Sequence, residues 1–378
     1  MPHSSKNGRW SILPNHAILR AIAAKYLLQN YIDIHVQFHA QGHFHRIYLI
    51  SMSTSAGASS STATEYIIRV ALPVEPFFKT ESEVATIAYV AQNTTIPVPT
   101  VIAYDSCADN ELGFEWILMD RIQGVALTDV WDSLPFDSKA SITLDIASYL
   151  RQLQKLKFSQ IGSLYYSSIQ NKTTSSISTK SPSECNNFID TNKFVMGKIV
   201  SPSFFLNNDD NVNIRSEVSL GPFTSSKDFI TAKTHYQIQR LKKSLPFLPL
   251  NQKQQQLDKL ETCQKLLHLI PQLFKNEGND ENEYILSHPD LSSANILVDP
   301  TTHYITGIID WESCTIVPKW EQSFDVPPFL WTADNKSNFS SLSFLSHYSS
   351  SSTLLSTFSK KLVVPGQART VDLPIPAN

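Results

Sequence analysis

No stretch of this 378-residue chain is apolar for long enough to cross a bilayer, so nothing in it predicts a spanning helix. Cysteine is sparse: Cys107, Cys185, Cys263 and Cys314 lie far apart and share no metal-ligand spacing. That excludes a zinc-ribbon framework and reads as reduced thiols in a large intracellular protein. Basic residues are scattered and the formal net charge is −3, so no clustered cationic surface points to nucleic acid. Internal repeats are absent as well. The first residues, "MPHSSKNGRWSILPNHAILRAIAAKYLL", lack a signal-peptide core, yet they contain no acid and carry Lys6, Arg9, Arg20 and Lys25. A cytoplasmic protein is the expectation, with an organellar (mitochondrial) transit segment as the alternative. The same stretch also reads as a capped helix, with Asn15 as cap and Ile18, Ala21, Ile22 and Tyr26 on one face.

The composition that remains is globular and sufficient for a sizeable core. "GHFHRIYLISM" and "EYIIRVALP" read as strands joined by the small-residue loop "STSAGASSSTAT". "KTESEVATIAYVAQ" has Val84, Ile87, Ala88 and Ala91 at helical spacing, and Pro97 and Pro99 force extended chain after it. "FEWILMDRI" reads as a buried strand left through Gly124. Two later segments, "KASITLDIASYLRQLQKL" and "NQKQQQLDKLETCQKLLHLI", are predicted helices, the second stopping at Pro271. The serine-rich "SSIQNKTTSSISTKSPSECNN" between them reads as an insertion loop, and a serine-dense tail begins near Ser337.

The chemistry concentrates in "LSHPDLSSANILVDPTTHYITGIIDWE", Leu286 to Glu312. "NILV" and "ITGIID" are β-prone runs around the turn-forming "DPTTHY", a hairpin pattern. Asn295 opens the first strand and Asp310 closes the second, so the two are expected side by side within one register step. An amide oxygen and a carboxylate at the open end of a hairpin suit a hard cation such as Mg²⁺. Asp290, five positions ahead of Asn295, lies in a loop able to bring a second carboxylate to the same cavity. There it would orient a hydroxyl or accept its proton while the cation holds phosphate oxygens. Carboxylates set among apolar runs need such a task or a partner.

These residues resemble the catalytic signature of the aminoglycoside phosphotransferase family, HxDxxxxN followed by an Asp at the end of the next strand. "GHFHRIYLI", "EYIIRVALP", "ESEVATIAYVAQNTTIPVPTVIAYDS", "GFEWILMDRIQGVAL" and "FSQIGSLYY" resemble successive family segments in the correct order, most like the fungal branch, over roughly residues 30–330. The resemblance implies an α+β, protein-kinase-like two-lobed fold. Its N-terminal lobe is an antiparallel sheet with one main helix, and its C-terminal lobe is mostly helical. The expected divisions are 1–120 for the nucleotide lobe with its leading helix and 121–332 for the catalytic lobe, with a polar insertion near 167–225, then the tail 333–378.

The implied activity is transfer of the γ-phosphate of ATP, with Mg²⁺, to a hydroxyl of a small molecule. No nucleic acid or membrane partner is expected, and the oligomeric state is left open. By position, Asp290 is the implied base, Asn295 and Asp310 the Mg²⁺ ligands, and His288 a brace for the catalytic loop. Arg69 stands where protein kinases carry the strand lysine, with Glu83 rather than Glu81 as its partner because Glu83 shares a face with Ile87. Gly42 marks a glycine-poor phosphate-covering loop, and Met119 to Arg121 the linker near adenine. Glu312 reads equally as an aid to metal binding or a strand-end residue. A catalytically weak kinase-shaped binding protein is the competing class. A protein kinase fits less well, because "IDWE" replaces DFG and no APE element is recognisable.

Overall fold

A computed structural model describes residues 10, 12–27, 33–53, 64–169, 194–205, 218–274 and 284–322, and the backbone of 362–363 and 370–371. The expected tail therefore lies outside the described residues apart from those two pairs, as does the loop 54–63.

Asn15 caps the first helix as the sequence predicts: its Oδ1 accepts the Ala17 N–H at 2.8 Å, and α1 runs His16–Leu27. The buried face is centred on Leu19 and Ala23, not on Ala21, which is exposed. Beyond it, β1 (Asp33–Gln41), β2 (His45–Ser53), β3 (Thr64–Ala71), β4 (Val101–Asp105) and β5 (Glu115–Asp120) form one antiparallel sheet in the order β1-β2-β3-β5-β4. Strand β1 was not anticipated, although Ile34 and Val36 alternate inward between exposed His35 and Gln37.

The sheet has two covered faces. Tyr48, Ile50, Met52, Ile68, Val70, Trp116 and Leu118 pack with Leu19 and Ala23 on one side. Side-chain alternation sends Arg69, between Ile68 and Val70, to the other side. Helix α2 (Phe78–Asn93) lies near β4 and β5, and its Val84, Ile87 and Val90 share a core with Ile117 and Met119. Its first half is buried all round, from Lys79 to Ile87, while Ala91 is exposed, so the simple amphipathic stripe expected there is corrected. The carboxylate of Glu115 on β5 accepts the Phe77 N–H at 2.8 Å and the Thr80 hydroxyl at 2.5 Å, satisfying the start of α2 from outside the helix.

After β5 the chain turns at Gly124, whose φ of +142° is closed to other residues. A Cβ there would also lie 2.8 Å from the Val298 carbonyl oxygen. The remainder is built from β6 (Val125–Ala126), α3 (Phe136–Lys155), β7 (Ser163–Tyr166), β8 (Phe194–Gly197), α4 (Ser226–Ser244), α5 (Leu250–Leu273), β9 (Tyr284–Ser287), β10 (Ile296–Val298), β11 (Ile305–Ile308) and β12 (Thr315–Pro318). Its three long helices give it the helical character expected of a second lobe. One continuous core runs from α2 through Ile142 and Ile146 of α3 to Leu286, Ile296 and Trp311.

Three differences from the sequence reading have local causes. Of the polar insertion expected near 167–225, residues 170–193, with most of the serine-rich loop, and 206–217 lie outside the described ones; among the rest, β8 pairs with β7, and Ile199, Val200, Phe204 and Phe223 join the core. Helix α4 was missed because its apolar positions are interleaved with threonines and lysines. Its start is signalled by Ser225, whose side chain accepts the Asp228 N–H at 3.0 Å. Helix α5 continues past Pro271 to Leu273, since a proline one turn from the end forfeits a single backbone bond.

Candidate active site

The hairpin of β10 and β11 carries the acidic residues. Near its turn the Asp299 N–H donates to the Tyr304 carbonyl at 2.9 Å, but the register steps between Leu297 and Val298. Ile309 therefore stands opposite Asn295, donating its N–H to the Asn295 carbonyl at 2.9 Å, and Asp310 falls one residue beyond. Asp310 has a φ of +66°, a left-handed turn that redirects the chain immediately after the strand. Trp311, 1% exposed, anchors that turn from below by donating from Nε1 to the Ile308 carbonyl at 2.9 Å.

His288 is buried and lies edge-on to Trp311 with ring centres 4.8 Å apart. Burial holds its imidazole below the ordinary value, outweighing the bond to Ile309 and the nearby carboxylates, so the ring is neutral at pH 7. Its Nδ1 accepts the Asp290 N–H at 3.2 Å, which leaves Nε2 to donate to the Ile309 carbonyl at 3.2 Å. One ring thus ties the Asp290 loop to the residue before Asp310. Asn295 closes the loop: its Nδ2 donates to the Asp290 carbonyl at 2.8 Å and to Asp290 Oδ2 at 3.0 Å. Both partners only accept, which fixes the amide orientation and turns Asn295 Oδ1 away from Asp290.

On the sheet side, Arg69 donates to Glu83, to Asp310 Oδ1 at 2.6 Å and lies 3.3 Å from Glu312 Oε2. Burial alone would lower its pKa, but Glu83, Asp310 and Glu312 outweigh that and raise it. The Glu83 carboxyl is pushed up to about 7 by burial, against the pull of Arg69. Glu81, 0% exposed, turns the other way and accepts from Tyr104 at 3.0 Å and Ser106 at 2.6 Å. The helix-face argument therefore separates the two glutamates correctly.

The remaining expected residues are dispersed. Met119 is buried in β5 opposite Ile67 and Val101. Arg121, just past β5, pairs with Glu65. Gly42 sits in the exposed β1–β2 turn, donating its N–H to the His45 carbonyl at 2.9 Å.

Two buried residues in the cluster were not anticipated. His45 has Nδ1 3.0 Å from Arg69, and Lys79 Nζ lies 2.6 Å from His45 Nε2 and 2.9 Å from Glu312 Oε2. The signal for Lys79 was its position four residues before Glu83, one turn along the same helix face. His45 carried no local signal, because its facing depends on the pairing of β2 with β3. Burial, then Arg69 and Lys79, hold His45 well below its ordinary pKa, so it is a neutral spacer between two cations. His45, Glu83 and Glu312 offer three ligand atoms within 4.8 Å of one another. Arg69 and Lys79 already contact those atoms, so the trio is part of an ion-pair network rather than a metal centre.

Glu115, behind this cluster, has a carboxyl pushed up to about 7 by burial, against its bonds from Thr80 and Phe77. Its folded pKa exceeds its unfolded one. Its contribution to stability is therefore full below about pH 4.5 and is lost as pH rises through 7. Glu115→Gln should remove that part of the slope. Urea unfolding from pH 4.5 to 7.5 should show the variant gaining on the wild type by on the order of 2 kcal/mol across the window. Parallel curves would contradict this.

Comparison with known proteins comes to the same region. The family model described as "Phosphotransferase enzyme family" matches residues 54–320. A subtelomeric hrmA-associated cluster protein of Aspergillus fumigatus is 27% identical over 318 residues, covering 75% of this chain and 58% of that protein. A protein of Candida albicans named altered inheritance of mitochondria protein 9, mitochondrial, is 23% identical over 347 residues, covering 83% of this chain and 51% of that one. The chain thus spans little more than half the length of these relatives. Among solved structures, a ternary complex of an aminoglycoside phosphotransferase APH(4)-Ia variant with ADP and hygromycin B aligns at a TM-score of 0.43. It is 17% identical and covers 81% of this chain and 74% of that one. A Plasmodium vivax ethanolamine kinase aligns at 0.41 with 15% identity, covering 82% and 66%. With an antiparallel sheet lobe, a helical remainder and a family match over residues 54–320, the chain belongs to the phosphotransferase enzyme family and has its kinase-like α+β fold.

Proposed function

We propose that this chain is an ATP- and Mg²⁺-dependent phosphotransferase that acts on a hydroxyl of a small molecule. The observation that carries the proposal is the bonded pair Asp290–Asn295 joined through Ile309 to the Arg69–Asp310 pair. A general-base carboxylate, an amide oxygen, a second carboxylate and a guanidinium are thereby linked by three short contacts.

The donor set fits a hard cation. Asn295 commits its NH₂ to Asp290 and so offers a carbonyl oxygen, and Asp310 gives Oδ1 to Arg69 while its side chain stays 32% exposed. Mg²⁺ held by Asn295 and Asp310 would neutralise charge on the phosphate oxygens of the nucleotide. Arg69 would bind those oxygens in a fork, as a guanidinium does better than an ammonium, with Glu83 fixing its plane. Gly42 and its neighbours would cover the phosphates, and Met119 and Arg121 would border the base. Asp290 is exposed, held by His288 and Asn295, and would take the proton of the attacking hydroxyl.

A second reading, a kinase-shaped binding protein, has its own support. Both terminal nitrogens of Arg69 are already engaged, with Glu83 and with Asp310 Oδ1, which leaves a cation only Asp310 Oδ2. Thermal unfolding with ATP, Mg²⁺ and both together separates the two. Shared stabilisation that needs both, by several degrees at saturating ligand, is expected for the phosphotransferase. No shift under any condition favours the binding protein. The name of the Candida relatives also raises the mitochondrial alternative above the cytoplasmic expectation, which imaging of the tagged full-length protein would decide.

A further inference from the structure

We propose that Lys79 is a positioning residue: by holding Glu312 it keeps the guanidinium of Arg69 on Glu83 and Asp310. The inference rests on the phosphotransfer reading and extends it to a residue outside the expected set.

A lysine in the first turn of a helix is ordinarily solvated, because burying an ammonium is expensive unless its charge is answered. Lys79 is 1% exposed, with Nζ 2.9 Å from Glu312 Oε2 and 5.8 Å above the Phe44 ring. The need for it follows from the charge arrangement. Arg69 faces three carboxylates, Glu83, Asp310 and Glu312, and its single positive charge does not balance three negative ones. With Lys79 on Glu312, the third carboxylate stays 3.3 Å from Arg69 while Asp310 holds it at 2.6 Å. Without the ammonium, Glu312 would retain only Arg69 and the neutral His45, and would draw the guanidinium off Asp310.

The geometry places this control at a junction. Glu312 lies two residues beyond Asp310, and His45, which touches Arg69, Lys79 and Glu312, holds the Gly42 N–H through its own carbonyl. A single ammonium on α2 therefore touches the start of β2 at His45 and the Asp310 turn at Glu312.

The test is a cycle of Lys79→Met, Glu312→Gln and the double variant. The readout is the Mg²⁺ concentration at half-maximal thermal stabilisation in the presence of AMP-PNP. Lys79→Met should raise that midpoint by about tenfold, and Glu312→Gln alone should move it by less than about threefold. The double variant should return to within about threefold of the wild type, because the stranded carboxylate is gone. A lysine that merely fills space predicts instead that the double variant is no better than Lys79→Met, and that result overturns the proposal. So does a wild-type midpoint in Lys79→Met. If Lys79→Met does not fold, a folded double variant with a near-wild-type midpoint supports the proposal, and an unfolded one overturns it. A wild type that shows no Mg²⁺-dependent shift removes the phosphotransfer reading itself, an outcome distinct from the others.

Discussion

Asp290→Asn is expected to lower phosphate transfer by about 10²–10⁴-fold while leaving Mg²⁺·ATP binding within about threefold of the wild type. The substitution keeps the shape and the N–H bond to His288 Nδ1, and removes only the charge and the ability to take a proton. Rotation of the new amide can still present an oxygen to Asn295 Nδ2, so the loop should stay closed. Asp310→Ala should behave in the opposite way. It deletes the carboxylate that would hold the cation and releases Arg69, so Mg²⁺-dependent thermal stabilisation should disappear along with turnover. Turnover and thermal shift measured on both variants separate the roles. Wild-type turnover in the Asp290 variant would end its assignment as the base.

Arg69→Met should produce the largest loss of stability, on the order of 3 kcal/mol at pH 8, because removing one partner strands a charge in the interior. Glu83 is 2% exposed, and among the described residues its short cationic contact is Arg69. The loss should shrink to less than half at pH 5.5. Burial already pushes the Glu83 carboxyl up to about 7, and without Arg69 it rises further above its unfolded value. The folded state then takes up a proton as pH falls, and stability returns below that raised pKa. Urea midpoints of wild type and variant at the two pH values measure the difference. A loss that is equal at both would mean that Glu83 stays ionised without its partner.

The sequence was most informative where function depends on neighbours along the chain. Asp290 and Asn295 are five residues apart, and a closed loop between them follows from the strand start at Ile296 and the short 3₁₀ turn before it. The choice of Glu83 over Glu81 needed only the helix repeat. The register of the hairpin was legible to one residue, and the error has a visible cause in the irregularity between Leu297 and Val298. Helix α4 and strand β1 were less legible. In α4 the contrast between faces is diluted by threonines, and in β1 the inward pair Ile34 and Val36 is bracketed by histidines and glutamine.

What the sequence determined by itself was the candidate set: which oxygen-bearing side chains occur at spacings that a hairpin and its preceding loop can bring together. Covalent geometry sets those spacings, and they survive any detail of packing. The tertiary structure alone decided that Arg69 would meet Asp310, 241 positions away, and that Lys79 and His45 would be buried beside that pair. Such contacts depend on which faces of a sheet and a helix are pressed together. In a low-dielectric interior, that choice turns scattered ionisable residues into one coupled network.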